Sequence, residues 1–286
     1  MQATLDSLDV LDARQFQLVM RRLADSLSHG TDHSRFLGSG VEYVQSRPYQ
    51  PGDSVRSIDW RVTARSGRVF VKEYESPKRT PVYMLIDTSA SMTISSVRQS
   101  KYATALFIAG GLAMACLDRV SPVGVIGVGS RGYHVQPSLS KNQILQWLLA
   151  FKDYRFDEGT QLGSRIAQIS PSLRQKTLFF VLSDLQDPTA LGSLKQLAAV
   201  HDCAVIQLQD PAETGLRGAG LLRAREAETG RVFATHGRRD HLDQGTLEGT
   251  LRRGGIDHLR VRTDQEYVHS LRHFVESRGL LGRGAR

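Results

Sequence analysis

Three short apolar runs that each end in an aspartate constrain the fold of this chain most strongly. They are VYMLID (82–87), TLFFVLSD (177–184) and CAVIQLQD (203–210). Runs of this length and composition are typical of strands that are buried on both faces of a sheet. Segments with helical periodicity alternate with such strands over residues 80–278. We therefore expect an α/β domain with a mostly parallel, doubly wound sheet that helices cover on both faces.

The order of the other elements follows from local patterns. Helices are predicted over residues 97–119, 142–151, 161–169, 189–200 and 240–253, and a last helix follows TDQE (263–266), which has the form of a capping box. PVGVIGVG with GYHVQP and, later, LLRAREAETGRVFAT each predict a hairpin, and DHLRVRT predicts the last strand. KDYRFDEGT (152–160) is expected to be a polar loop, and the tail GLLGRGAR (279–286) is expected to be loose.

Residues 1–79 have a different character. A helix is predicted over about residues 8–27, and three extended runs follow: VEYVQSRPY, VRSIDW and GRVFVKEYE. Pro51 and Gly52 suit the two central positions of a type II turn, because proline presets φ and glycine accepts a positive φ. We expect an N-terminal helix plus a small β-rich module over 1–79, and the α/β domain over 80–278.

Composition narrows the class of protein. The chain has 286 residues, 40% of them apolar, which is enough for a sizeable core. No stretch approaches the ~20 consecutive apolar residues of a membrane-spanning helix, and the N-terminus lacks the pattern of a secretory signal. Cys116 and Cys203 lie in apolar segments, which predicts buried free thiols. These features favour a cytoplasmic protein.

Polar side chains gather where the predicted strands end. Asp87, Ser89 and Ser91 form D-x-S-x-S directly after the first apolar run, and Asp184 ends another run. Thr160 lies in a loop that leads into a helix. Because ligands bind at the carboxyl ends of strands in such sheets, we expect these five residues to converge.

Two carboxylates and three hydroxyls form an all-oxygen donor set. Such a set suits Mg²⁺, with Mn²⁺ or Ca²⁺ as alternatives, rather than Zn²⁺. Neutral hydroxyl ligands would leave the ion positively charged, so that an acidic side chain of a partner could complete its coordination. In the alternative interpretation, Ser89 and Ser91 cap the following helix and Asp184 pairs with a donor from a loop.

The five residues resemble the metal-ion-dependent adhesion site of the von Willebrand factor type A fold. In that fold a D-x-S-x-S motif, a later Thr and a later Asp share one divalent ion. The resemblance covers about residues 80–278 and implies a protein-binding role rather than catalysis.

A second resemblance covers residues 38–75, which are similar to the signature of the bacterial domain-of-unknown-function 58 family. The matching positions are Gly38, Gly40, Arg47, Tyr49, Pro51, Gly52, Asp53, Arg56, Ile58, Asp59, Trp60, Ala64 and Arg65. The family resemblance implies a partner, an AAA+ ATPase of the MoxR type, in metal insertion, complex assembly or stress responses. The signature residues either fold the module through ion pairs or form a second docking face.

Two other functions stay as alternatives. A Mg²⁺-dependent hydrolase would fit an aspartate at a strand end, but no complete catalytic constellation is found, since position 89 is Ser and no G-x-S-x-G, Walker or H-E-x-x-H motif occurs. Nucleic-acid binding would fit the net charge of +8. The basic residues are scattered rather than clustered, which disfavours it.

Overall fold

A computed structural model describes residues 2–4, 21–25, 42–75, 80–214, 221–225, 232–236 and 243–278. The strands, in chain order, are β1 (Gln2–Thr4), β2 (Glu42–Pro48), β3 (Phe70–Glu75), β4 (Val82–Ile86), β5 (Val123–Gly127), β6 (His134–Ser138), β7 (Asp153–Arg155), β8 (Leu178–Ser183), β9 (Asp202–Gln209), β10 (Leu221–Arg225), β11 (Val232–His236) and β12 (Asp257–Arg262). The α-helices with two defined ends are α1 (Trp60–Ser66), α2 (Ala90–Thr93), α3 (Lys101–Asp118), α4 (Lys141–Lys152), α5 (Leu162–Ile169), α6 (Ala190–Val200), α7 (Gln244–Arg253) and α8 (Val268–Ser277). Residues 21–25 are also helical.

A six-stranded sheet organises the larger part of the chain. Its strand order is β12-β9-β8-β4-β5-β6. All neighbouring pairs are parallel except β5 with the edge strand β6, which is antiparallel. The predicted mixed α/β architecture with a largely parallel sheet is confirmed, as is the hairpin of β5 and β6. The chain continues from β4 to β5 on one side and returns to β8 on the other, so the order of the strands reverses between β4 and β8.

Both faces of this sheet are buried. Along β4, Val82, Met84 and Ile86 belong to a core cluster shared with α3, α4 and α8. The alternate residues Tyr83 and Leu85 belong to a second cluster, shared with α5, α6 and α7. Every residue of β4 and of β8 is buried, which explains why both strands are continuous apolar runs. Cys116 and Cys203 are free and buried, as predicted.

The central helix α3 packs closely against residues 21–25. A β-carbon added at Gly111 would overlap the side chain of Leu23, so only glycine lets the two segments approach this far. By length and composition α3 could cross a membrane, yet 83% of it is buried inside the protein. Core helices of folded domains share these properties, so α3 gives weak support for a membrane span.

Contacts divide the chain into two compact units, Met1–Thr31 with Thr80–Arg286 and Asp32–Arg79. The described residues 2–4 and 21–25 fall within the larger unit. Most of the helix predicted over 8–27 and the whole tail 279–286 lie outside the described residues.

In the smaller unit β2 and β3 form an antiparallel ladder, as the extended runs predict. Gly52 has a φ of 107°, and the amide of Asp53 donates to the carbonyl of Gln50, which confirms the predicted turn. The extended assignment of VRSIDW is wrong. Val55–Ser57 form a 3₁₀ turn, and Asp59 caps α1 by accepting from the amides of Arg61 and Val62.

Three predictions within the larger unit are corrected. The helix expected from residue 97 begins at Lys101, because the hydroxyl of Ser100 accepts from the amide of Ala103 and caps it there. The segment expected to be a loop contains β7, which pairs with β1. TDQE is not a capping box. The amide of Thr263 still donates to the carbonyl of Gln209, which extends the sheet pairing, and α8 begins only at Val268.

Candidate metal centre

Asp87 and Asp184 lie at the point where the strand order reverses. Asp87 follows β4, Asp184 follows β8, and Ile86 pairs with Leu182 in the parallel ladder between these strands. Both aspartates are 1% exposed. The apolar strands place them there, because the carboxyl ends of neighbouring parallel strands meet at one edge of a sheet.

The carboxylate of Asp87 is held on both oxygens. Oδ1 accepts from the amide of Ser89 at 3.0 Å, and Oδ2 accepts from the hydroxyl of Ser183 at 2.5 Å. Burial, together with the charge of Asp184, raises the pKa of Asp87 to about 7. Two buried carboxylates that destabilise each other in this way gain from a cation between them.

The two serines of D-x-S-x-S face each other. Their hydroxyl oxygens are 3.0 Å apart, Ser89 is fully buried and Ser91 is half-buried. Ser89 precedes α2, yet its side chain makes no capping hydrogen bond to that helix. The capping alternative therefore does not describe Ser89, whose hydroxyl is turned toward the other serine.

Thr160 lies in the neighbouring loop. It is half-buried and forms a β-bridge with Gly129, and the amide of Gln161 donates to the carbonyl of Val128. A β-carbon at Gly129 would overlap the side chains of Thr88 and Glu158, so this glycine allows the loop to lie against the D-x-S-x-S segment. Thr160 is thus paired with Gly129, whose backbone lies against Thr88 of the D-x-S-x-S segment.

The donor chemistry decides which ions these residues fit. Within the described ranges, no group of three or more His, Cys, Asp or Glu side chains is arranged to hold an ion. The acids here are two, and the other nearby donors are hydroxyls, so the residues do not fit Zn²⁺. They fit a hard ion such as Mg²⁺, which accepts few protein ligands and keeps several waters.

Lys101 and Glu213 are residues that the sequence analysis missed. Lys101 is 2% exposed, and its Nζ lies 2.7 Å from Oδ2 of Asp184. It also pairs with Oε1 of Glu213, which follows β9. The alternative interpretation expected Asp184 to pair with a donor from a loop. Asp184 does pair with a donor, but this donor is Lys101, the first residue of α3. A lysine in the first turn of an apolar helix is usually exposed, so the sequence carried no signal for this pairing.

Glu158 is a second missed residue. It is 2% exposed, and its Oε1 accepts from the hydroxyl of Thr88 at 2.9 Å and from the amide of Arg131 at 3.1 Å. Oε2 accepts from Nε of Arg131 at 2.9 Å, and the carbonyl of Glu158 accepts from the amide of Ala90 at 2.7 Å. Glu158 therefore fixes the D-x-S-x-S loop through both its side chain and its backbone.

Asp210, the aspartate that ends the third apolar run, fixes a different loop. It is 3% exposed, and its Oδ2 accepts from the amide of Ser96 at 2.8 Å. Its Oδ1 accepts from the hydroxyl of Ser96 and from the amide of Ala212. Asp210 thereby anchors the segment between α2 and α3 to the carboxyl end of β9.

The signature residues of the smaller unit divide into two groups. Arg47 binds both carboxylate oxygens of Asp53 at 2.7 Å, and this hydrogen bonding lowers the pKa of Asp53 to about 2. Asp59 is 7% exposed, caps α1 and accepts from the hydroxyl of Ser46 at 2.7 Å. Arg47, Asp53 and Asp59 therefore fold the module.

The other signature side chains point outward. Tyr49 is 39% exposed and Trp60 is 68% exposed. Arg56 and Arg65 are exposed and form no ion pair with the residues that the structure describes. Trp60 and Arg65 line an open groove together with Ile58, Asp59, Arg61, Val62 and Lys72. This groove is the part of the signature that keeps a docking role open.

The fold and this cluster define an α/β protein whose buried acids and hydroxyls meet where the strand order of a largely parallel sheet reverses. The chain belongs to the family described as "Protein of unknown function DUF58", which matches residues 45–245. It is 24% identical over 279 residues to uncharacterized proteins of Mycobacterium tuberculosis and Mycobacterium bovis, and each match covers 93% of this chain and 88% of the relative.

Among solved structures, the chain has a likeness to an uncharacterized membrane-spanning protein from Vibrio fischeri. The two sequences are 16% identical, and the match covers 68% of this chain and 96% of the Vibrio fischeri chain. Its TM-score of 0.22 is too low to define a common fold.

Proposed function

We propose that this protein docks an acidic side chain of a protein partner through a divalent ion, most suitably Mg²⁺, in a site of the metal-ion-dependent adhesion type. The proposed ligands are Asp87, Ser89, Ser91, Thr160 and Asp184. One observation carries the proposal: Asp87 and Asp184 are buried side by side at the ends of adjacent parallel strands, where the charge of Asp184 helps to raise the pKa of Asp87 to about 7.

The chain's own residues would divide the work. The hydroxyls of Ser89 and Ser91, 3.0 Å apart, are neutral donors that can bind an ion without cancelling its charge. The carboxylates of Asp87 and Asp184 would balance the positive charge of the ion. A bound ion would supply a positive centre that attracts an external carboxylate. Glu158 holds the loop that carries the serines through its carboxylate and its carbonyl, which supports a fixed geometry of these donors.

The partner class rests on the family resemblance. An AAA+ ATPase of the MoxR type is the proposed partner, with a role in complex assembly, metal insertion or a stress response. An acidic side chain on its surface is the group that the ion would bind. The exposed groove around Trp60 offers a second contact area for the same partner.

A Mn²⁺ titration tests the ion site, and a pull-down tests the docking. We expect the wild-type protein to bind Mn²⁺ and Mg²⁺ in calorimetry, and Ser89→Ala to lose most of this binding while it stays folded. We expect an AAA+ ATPase to be retained from native lysate with Mg²⁺ but not with EDTA. Ser277→Ala, at the exposed end of α8, is the matched control.

Two outcomes would contradict the proposal. Equal Mn²⁺ affinity in wild type and Ser89→Ala would remove the serines from the ion site. Retention of the ATPase in EDTA would separate docking from any ion and direct attention to the groove of the smaller unit.

A further inference from the structure

Lys101 places a positive charge inside the candidate ion site. Its side chain is 2% exposed, and Nζ contacts Oδ2 of Asp184 at 2.7 Å and Oε1 of Glu213. Two carboxylates contact the same Nζ, which favours the charged form of this side chain. The ammonium is therefore a fixed charge.

The two carboxylates that hold Lys101 differ in their surroundings. Asp184 is 1% exposed, whereas Glu213 is 25% exposed and better screened by water. Oδ1 of Asp184 accepts from the amide of Gln186 at the long distance of 3.4 Å. That oxygen is the one available to an ion or to a water bound to it, while Lys101 occupies the other.

Charge bookkeeping gives the consequence. A dication, the ammonium of Lys101 and the ionised carboxylates of Asp87, Asp184 and Glu213 would sum to zero. Glu213 is 25% exposed, however, so the ion and the fully buried groups Asp87, Asp184 and Lys101 carry one positive charge in excess. A like charge a few ångströms away weakens the binding of the ion, and an external carboxylate removes the excess. The contribution of Glu213 reduces this effect without cancelling it, because Glu213 is more exposed.

We infer that Lys101 makes the site hold a divalent ion firmly only when an external carboxylate binds with it. The inference rests on the proposed function and adds to it. Lys101 would be the residue that couples ion to partner, so that the free protein stays largely empty of metal and the acidic partner completes the site.

The test is a Mn²⁺ titration followed by the electron paramagnetic resonance signal of free Mn²⁺, without and with acetate as the carboxylate probe. For wild type we expect weak binding that acetate strengthens at least tenfold. For Lys101→Met we expect at least tenfold tighter binding without acetate and a much smaller gain from acetate. Lys141→Met is the matched control, since Lys141 is 60% exposed and pairs only with Asp118 among the described residues.

Removal of Lys101 leaves two buried acids without their partner, so a second variant guards against unfolding. Lys101→Met/Glu213→Gln removes one charge of each sign, and circular dichroism checks its fold. We expect its Mn²⁺ affinity without acetate to fall between those of wild type and Lys101→Met. A purely structural role of Lys101 would change stability but would not change the dependence on acetate.

The outcomes separate the inference from the proposed function. If wild type binds Mn²⁺ and both Lys101 variants show the same affinity and the same gain from acetate, the inference is overturned and the ion site stands. Weaker binding in the variants also overturns it. If no protein in the set binds Mn²⁺ with or without acetate, the ion site is wrong and the inference falls with it.

Discussion

The hydroxyl of Thr88 donates to the buried carboxylate of Glu158 at 2.9 Å, across 70 positions of the chain. The same carboxylate accepts from the amide and the side chain of Arg131, so three segments at the carboxyl edge of the sheet meet on one acid. Thr88 lies between Asp87 and Ser89. Glu158 is therefore a positioning residue for the D-x-S-x-S loop, although it is not itself a proposed ligand.

Glu158→Ala tests this role. We expect a loss of about 2 kcal/mol in the free energy of unfolding, because Thr88 loses its acceptor and Arg131, 31% exposed, loses its carboxylate partner and keeps only the carbonyl of Asp153 among the contacts of its guanidinium with described residues. We also expect weaker Mn²⁺ binding, since the loop with Ser89 and Ser91 is no longer fixed. Urea unfolding and calorimetry measure the two effects.

The control for Glu158→Ala is Glu248→Ala. Glu248 is 50% exposed and lies 3.9 Å from Arg260, so its removal should change stability by less than about 0.5 kcal/mol. Equal effects of the two substitutions would show that Glu158 does not organise the loop.

The elements that could be predicted from the sequence are those whose burial produces a regular pattern of apolar residues. Residues 82–86 and 178–183 read as continuous apolar runs because both faces of β4 and β8 are covered, and the aspartates that follow mark where the runs end. The position of Asp87 and Asp184 at one sheet edge follows from parallel pairing. The pairing of Lys101 with Asp184 and Glu213 could not be predicted, because a single polar contact between distant segments produces no repeating pattern in the sequence.

Local capping explains the other differences. VRSIDW was assigned as extended, although Asp59 followed eight residues later by Gly67 marks both ends of α1. Gly67 has a φ of 67°, the left-handed conformation that commonly ends a helix. TDQE had the residues of a capping box, but the backbone of Thr263 is still paired with Gln209 and cannot begin a helix there.

Two substitutions can distinguish the signature residues that fold the smaller unit from those that are exposed on its surface. Asp59→Ala should destabilise that unit by about 2 kcal/mol, because the carboxylate caps α1 and accepts from Ser46. Trp60→Ala should stay within about 0.5 kcal/mol, since the indole is 68% exposed. Hydrogen exchange of the amides of α1 measures both effects. A large loss in Trp60→Ala would assign the indole to folding and would remove the reason for a docking role of the groove.

The contact of Leu23 with Gly111 can be measured by a double-mutant cycle. Gly111→Ala places a methyl group on Leu23 and should cost about 1–3 kcal/mol by overpacking. Leu23→Ala, at a residue 8% exposed, should cost about 2–3 kcal/mol. The pair Leu23→Ala/Gly111→Ala should cost less than the sum, because the smaller side chain makes room for the methyl group and alanine favours the helix. Additive costs would mean that residues 21–25 do not pack on α3 in solution.

His201 predicts how stability depends on pH. It is 4% exposed, and neither ring nitrogen has a hydrogen-bond partner among the residues that the structure describes. Its ring packs edge-on against Phe179, with 5.6 Å between ring centroids. Burial lowers the pKa of His201 below its ordinary value of 6.5, so the folded protein binds this proton less readily than the unfolded chain does.

This difference in pKa between the folded and unfolded states determines how the free energy of unfolding changes with pH. Above about pH 6.5 the histidine is neutral in both states, and its contribution to stability is complete. As the pH falls below 6.5, the unfolded chain takes up the proton first, and the free energy of unfolding decreases until the pH reaches the lowered pKa of the folded state. His201→Leu removes this loss, so the variant should lose less stability between pH 8 and pH 5 than wild type does. Urea midpoints across that range measure the slope, and His269→Leu, at an exposed histidine, serves as the control. Parallel curves for wild type and His201→Leu would show that His201 is already accessible to protons in the folded protein.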